Sequence, residues 1–140
     1  MRLMTPNRFL AFADGLFTRA VPGERRASWV LTATSSAVPS ARRMTRARLV
    51  QWGLQNEAAV ADVLVGELVT SALQDSADTV RVTLTAEDGL LRCEIEHAEP
   101  SGRRAEREHL LLAHLACCWG TAQTDEGKVV WFELPAPGLI

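Results

Sequence analysis

Glu67 is a side chain whose chemistry would allow it to act as a general base. It lies in a segment with strong helical periodicity, where Val60, Leu64 and Leu68 recur at intervals of four residues. A glutamate in a helix is more often a solvated surface residue than a base. Glu67 by itself is therefore weak evidence for a catalytic site.

A second set of residues has spacing that could suit a metal. His114, Cys117 and Cys118 follow the i, i+3, i+4 pattern of one helical face, and Cys93 or His109 could complete such a site. Structural zinc sites, however, separate their cysteines by two to four residues, and adjacent cysteines do not easily share a tetrahedron. We expect no metal, and we expect the three cysteines to be small buried hydrophobic residues in a reduced, cytoplasmic protein.

Arginines form the third set: Arg42, Arg43, Arg46 and Arg48. They are distributed around a predicted helix, no aromatic residues alternate with them, and the formal net charge of the chain is −2. This pattern predicts no direct contact with nucleic acid. It favours either a solvated face or a surface that meets an acidic partner.

The elements that must position these residues fit into one domain. A chain of 140 residues with 47% hydrophobic residues can bury a sizeable core. No segment approaches the ~20 apolar residues of a membrane span, so we expect no membrane contact. Residues 1–27 are interpreted as an N-terminal extension with a short helix around 6–18, and residues 28–140 as the folded domain.

Periodicity and turn residues predict the element order β-α-α-β-β-α-β-β. A hairpin turn is expected at Asp88-Gly89, a helix end at Gly53, and a cap at Asn56. Four of the five strands have predicted bounds, 29–34, 80–85, 91–97 and 129–134, and the predicted helices are 39–52, the segment after 56, and 105–117. We expect the last helix to be buried through its leucines at 110–112 and to end at Trp119-Gly120. This order predicts a two-layer α/β sandwich with a mixed, mostly antiparallel sheet and helices on one face.

The segment Gly66-Glu67-Leu68-Val69-Thr70-Ser71-Ala72-Leu73 resembles the ELVTNA motif of the anti-sigma-factor serine kinases, which belong to the GHKL ATPase superfamily. The resemblance extends over residues 28–135, and the actinobacterial members look closest. The other matching segments are Ala41-Arg42-Arg43, Gln51-Trp52-Gly53-Leu54, residues 88–94, Trp119-Gly120 and residues 127–135.

The resemblance implies a Bergerat-type fold that holds ATP and Mg²⁺ between the helix layer and a lid. Glu67 corresponds to the family glutamate that polarises the attacking hydroxyl. Ser71 stands at the position of the asparagine that holds Mg²⁺, and His97 at that of the aspartate that accepts a hydrogen bond from adenine. Glu106 and Glu108 stand where the family has the two glycines that approach the phosphates.

These departures argue against nucleotide binding. A serine hydroxyl is about one bond shorter than an asparagine amide, and a histidine cannot reproduce a carboxylate. Each glutamate placed about 5 Å from a phosphate would cost roughly 3 kcal/mol at an effective dielectric near 20. We therefore expect Glu67 to be vestigial, a helix ordered from about residue 105, and a narrowed or closed cleft beside Glu67.

The sequence thus predicts a regulatory protein-binding module of the anti-sigma-factor kinase-like type, with lost or weak ATP binding and no cofactor. By family analogy, the partner is a sigma factor or an anti-sigma antagonist, or a second copy of the chain in a homodimer. The alternative is an active ATP-dependent anti-sigma serine/threonine kinase that uses ATP with Mg²⁺.

Overall fold

The computed structural model describes residues 25–75, 78–98, 109–123, 125 and 127–137. Five strands and three helices follow one another in the predicted order. The strands are β1 (Arg25–Thr32), β2 (Thr79–Glu87), β3 (Leu90–Ala98), β4 (Cys118–Gln123) and β5 (Gly127–Pro135), and the helices are α1 (Ala37–Gln51), α2 (Gln55–Gln74) and α3 (Leu110–Leu115). The helix expected around 6–18 lies outside the described residues.

The strands form one open sheet in the order β1-β2-β3-β5-β4. Every pairing among these strands is antiparallel, so the parallel component of the predicted mixed sheet is absent from the described chain. The turn between β2 and β3 has positive φ at Asp88 (52°) and Gly89 (77°), as an Asp-Gly hairpin turn requires.

The sheet carries its hydrophobic core on one face. Strand register places Val82 opposite Ile95 and Ile95 opposite Val130, and all three are buried in one cluster with α1 and α2. Helix α2 packs against α1 and β3, α1 also meets β1, and α3 contacts α2 and β4. The chain is therefore an α/β fold whose described helices contact the same side of an antiparallel sheet.

Gly127 begins β5 at a very close approach to β3. An ideal Cβ built on Gly127 would lie 2.1 Å from the carbonyl oxygen of His97, which is far inside van der Waals contact. Only a residue without a Cβ fits between the two backbones at this point.

Several predicted boundaries need correction. β1 begins at Arg25, inside the predicted extension 1–27, and ends at Thr32 because the chain bends at 33–34. Helix α2 begins at Gln55, so Asn56 lies in its first turn instead of capping it. The end of α1 is confirmed, since Gly53 has φ 79° and the Leu54 N–H donates to the Leu49 carbonyl.

The prediction for 105–117 is wrong in its described part. Helix α3 spans only Leu110–Leu115, with His109 outside it, and Trp119-Gly120 lies within β4. So short a helix turns only Leu112 into the core, while Leu110 is 62% exposed. The leucine run is therefore largely a surface feature instead of a buried one.

Within the described ranges, no helix combines the length and the apolar composition that crossing a membrane would require.

Candidate functional site

A cleft of about 670 Å³ lies between α2 and α3 and contains two of the residues named by the family resemblance. Glu67 and Ser71 lie one turn apart on α2, and His109 and Leu110–Leu112 form the opposite wall. The hydroxyl of Thr70, beside Ser71, donates to the Gly66 carbonyl at 2.7 Å and thus serves the helix. The segment expected to narrow or close this cleft, from about residue 105, lies mostly outside the described residues, so the closed cleft stays a prediction.

Most of the remaining lining is apolar. Leucines from both helices line the cleft, and Gln74 contributes an amide: Leu64, Leu68, Leu110, Leu111 and Leu112. Among the described lining residues, Glu67 is the only carboxylate, and neither lysine nor arginine is present. The described lining offers a polyphosphate no lysine or arginine, whereas an apolar lining with few charges agrees with the core of a protein-binding surface.

His97 lies away from this cleft. It is a buried residue at the end of β3, and its Nδ1 is 3.1 Å from the Ala98 carbonyl oxygen. Its Nε2 is 3.6 Å from Oδ2 of Asp75, at the end of α2, and both side chains are almost fully buried. His97 is not among the described residues that line the cleft, so the structure joins it to Asp75 and not to Glu67 and Ser71.

Glu106 and Glu108 lie outside the described residues, as does the start of the helix expected from residue 105. The described positions alone do not fit Mg²⁺-ATP. Ser71 offers a short hydroxyl in place of an amide oxygen, and His97 is engaged with Asp75. The one charged side chain that lines the cleft in the described chain, Glu67, has the same sign as the phosphates.

A second polar surface involves the arginines of α1. The Nε of Arg42 donates to Oδ1 of Asp62 at 2.7 Å, and the Nη2 of Arg46 donates to Oδ2 at 2.5 Å. Burial alone would raise the pKa of the Asp62 carboxyl, but the hydrogen bonds from the two arginines outweigh it and hold that pKa below its usual value. Arg42 can reach Asp62 because Gly66 leaves room, since a Cβ there would lie 3.0 Å from the Arg42 Cδ.

The sequence pattern does not predict this arrangement, because Asp62 lies outside the four-residue repeat of Val60, Leu64 and Leu68. The available signal was the spacing of Arg42 and Arg46 by one turn, together with Gly66 one turn after Asp62. The carboxylate of Asp62 thus neutralises part of the positive charge of Arg42 and Arg46. Arg48 differs again, because its guanidinium lies 5.6 Å from the Trp29 ring centroid and 6.0 Å from that of Trp52.

The cysteines divide between the core and the surface. Cys93 and Cys118 are buried as expected, whereas Cys117 is exposed, with its Sγ 3.3 Å from the Glu133 carbonyl oxygen. Cys118 is paired with Glu133, so it is buried on the face of the sheet that points away from the helices, whereas Cys93 belongs to the core cluster. Burial raises the pKa of the Cys93 thiol, which disfavours the reactive thiolate. Over the described ranges, no three His, Cys, Asp or Glu residues come together as a metal site would require.

Compared with models of known protein families, the chain matches none, and no curated protein matches it. The case for a function therefore depends on the residues of the chain and on their geometry.

Proposed function

We propose that this chain is a regulatory protein-binding module of the anti-sigma-factor kinase-like type, built on a Bergerat-type sandwich, with lost or weak ATP binding. The contact between His97 and Asp75 carries the proposal. The residue that should recognise adenine faces a carboxylate at 3.6 Å, and both side chains are withdrawn from solvent. The cleft is lined by Glu67 and Ser71 and not by His97, which supports the loss of adenine recognition.

The surface around the cleft supports a protein ligand. Leu110, Leu111 and Leu115 of α3 are exposed, and exposed leucines beside a cleft are typical of an interaction site. The partner proposed from the family resemblance is a cytoplasmic sigma factor or anti-sigma antagonist, and a second copy of the chain is the other candidate. Arg42, Arg43 and Arg46 surround a separate shallow depression of about 320 Å³, which suits acidic groups of such a partner.

Calorimetric titration of the full chain with Mg²⁺-ATP tests the loss of the nucleotide site. We expect no binding heat at millimolar ATP, because the described lining supplies one carboxylate and no cation. Binding in the micromolar range that disappears in Glu67→Gln would contradict the proposal. That result would favour the active ATP-dependent anti-sigma serine/threonine kinase.

Co-purification from a cytoplasmic extract tests the protein-binding surface. We expect the wild-type chain to retain a sigma factor or antagonist, and Leu110→Glu with Leu111→Glu to lose at least ten-fold in retention, because two charges enter an apolar contact. Val50→Glu is the matched control, since Val50 is an exposed hydrophobic residue at the end of α1. Equal retention by all three proteins would show that the cleft is not the binding surface.

A further inference from the structure

The solvent-facing side of the helix pair α1 and α2 carries a compact group of charges. Arg42 and Arg46 of α1 lie one helical turn apart, and both reach the same residue of α2. The Arg42 Nε donates to Oδ1 of Asp62, and the Arg46 Nη2 donates to Oδ2. Asp62 thus lies between two guanidiniums and holds each of them by one oxygen. A single carboxylate therefore ties the two cations to one place on the surface.

Both arginines remain open to solvent although they are paired. Their side chains are 49% and 55% exposed, whereas the side chain of Asp62, to which they donate, is 8% exposed. A guanidinium has five N–H donors, and the contact with Asp62 uses one of them on each arginine. Further donors on each guanidinium can therefore serve a ligand that approaches from solvent.

The charges of this surface do not cancel. Arg43 lines the same shallow depression of about 320 Å³, together with Pro39, Arg42, Arg46 and Asp62. Burial would raise the pKa of the Asp62 carboxyl, but the hydrogen bonds from Arg42 and Arg46 hold that pKa below its usual value, so the group is ionised at neutral pH. Among the described residues of the depression, three arginines against one carboxylate leave two positive charges. Two acidic side chains of a ligand would balance them.

The shape of the depression favours a ligand that belongs to a larger surface. A site for a small molecule usually encloses most of its ligand and is mainly apolar, whereas this depression is shallow and its described lining is mostly charged. Arg48 marks the limit of the group, because its guanidinium packs against the ring of Trp29, with 5.6 Å to the ring centroid.

We infer that this surface binds a helix of the protein partner that carries two acidic residues one turn apart, and that Asp62 competes with those residues for Arg42 and Arg46. The inference rests on the proposed function, since it assigns the acidic groups to the regulatory partner. Side chains at i and i+4 of a helix lie about 5–6 Å apart. The two arginines have this spacing on α1, so each can meet one carboxylate of a partner helix that lies along α1.

Asp62 weakens the binding of such a helix and makes it selective. Its carboxylate repels any carboxylate that approaches the two arginines, and it already holds one donor of each. A ligand with one acidic residue balances only half of the surplus positive charge, whereas a pair of acidic residues balances all of it. Because charge complementarity across an interface mainly governs specificity and the rate of association, an internal competitor favours a reversible contact with the correct partner.

NMR titration of the full chain with a synthetic peptide tests this inference. The probe is an alanine-rich helical peptide of about twenty residues with glutamates at i and i+4. Its matched control carries the same two glutamates at i and i+2, which lie on different sides of a helix. We expect the probe to bind roughly five-fold or more tightly than the control. It should shift the Nε–H signals of the three arginines that line the depression and leave the signal of Arg48 unchanged.

Variants separate the proposed site from general attraction between charges. Arg42→Gln with Arg46→Gln should weaken binding of the probe by about ten-fold or more, because both charge-assisted contacts are lost. Arg25→Gln with Arg81→Gln removes the same charge from exposed positions on β1 and β2, and should change binding by less than about two-fold. Asp62→Asn keeps a hydrogen-bond acceptor but removes the competing charge, so it should strengthen binding several-fold.

Equal binding of the two peptides, or an equal loss in the two double variants, would overturn the inference. Unchanged or weaker binding by Asp62→Asn would also overturn it, and so would displacement of the probe by an equal concentration of inorganic phosphate, which indicates a site for any small anion. If Arg42→Gln with Arg46→Gln does not fold, Arg43→Gln gives the answer, because it leaves both contacts of Asp62 in place. It should weaken binding several-fold, and unchanged binding contradicts the inference.

Failure of this inference is distinguishable from failure of the proposed function. If the probe does not bind while Leu110→Glu with Leu111→Glu still loses the protein partner, only the arginine surface is contradicted. Micromolar binding of Mg²⁺-ATP that depends on Glu67 contradicts the proposed function, whatever the result with the peptide.

Discussion

Replacement of Arg92 with methionine is expected to lower the free energy of unfolding by about 3–5 kcal/mol. Arg92 is fully buried and forms hydrogen bonds with both Glu94 and Glu133, so its removal leaves two buried carboxylates without their shared cation. Urea unfolding followed by circular dichroism measures the loss. Arg43→Met is the matched control, because Arg43 is an exposed arginine of α1, and its cost should stay within about 0.5 kcal/mol.

The cost of Arg92→Met should depend on pH. Burial raises the pKa of the Glu94 carboxyl, and Arg92 lowers it in part. An acid whose pKa is higher in the folded chain contributes stability that is present below its unfolded pKa and is lost as the pH rises through the folded one. Without Arg92 that pKa rises further, so the variant should lose less at about pH 5 than at about pH 8.

A triple variant distinguishes two causes of this loss: the missing interactions of Arg92, and the cost of two carboxylates that stay buried without a cation. Arg92→Met combined with Glu94→Gln and Glu133→Gln removes the unpaired carboxylates and should recover a large part of the loss. Two results would contradict this account: Arg92→Met lowers the free energy of unfolding no more than Arg43→Met does, or lowers it by the same amount at both pH values. Either result would show that Arg92 does not stabilise the two buried carboxylates of Glu94 and Glu133.

His97→Asp is expected to destabilise the chain by about 3 kcal/mol, although it restores the residue that the family resemblance implies. The new carboxylate would lie within about 5 Å of Asp75, and two like charges at that distance repel by roughly 3 kcal/mol at an effective dielectric near 20. His114→Asp is the control, since His114 is exposed on α3. Thermal unfolding compares the two variants.

Combining His97→Asp with Asp75→Asn should recover most of this loss, because one of the two charges is removed. Equal melting temperatures for His97→Asp and His114→Asp would contradict the proposed contact between His97 and Asp75. The pair also affects any attempt to rebuild a nucleotide site, since Ser71→Asn and His97→Asp would need a change at Asp75 as well.

The sequence predicted the order of the helices and strands, because that order depends on short-range sequence patterns. The Asp88-Gly89 turn, the glycine after α1 and the four-residue spacing in α2 are all short-range patterns. The alternation of apolar and charged residues in β3 agrees with its two faces, where Cys93 and Ile95 face the helices and Arg92 and Glu94 point the other way.

The features that the sequence did not predict depend on distant partners. The charges on the outer face of β3 are typical of a solvated surface, and only the contact of Arg92 with Glu133, 41 residues away, reveals a buried network. Nothing in the local sequence marks Asp62 as buried, and only the packing of α1 against α2 places two arginines beside it. The exposure of the α3 leucines follows from the shortness of that helix, which periodicity alone did not define. His97 and Asp75 meet only because the end of α2 packs beside the end of β3.

The close approach of Gly127 to His97 bears on how the sheet selects its alignment during folding. Sliding β5 by one residue past β3 would bring Lys128, with its full side chain, to the point where only a hydrogen atom fits. A misaligned pair therefore cannot close at this end, in addition to turning its apolar residues toward the wrong face. One residue without a side chain thus penalises the misaligned register, while the correct register loses no side-chain contact at this point.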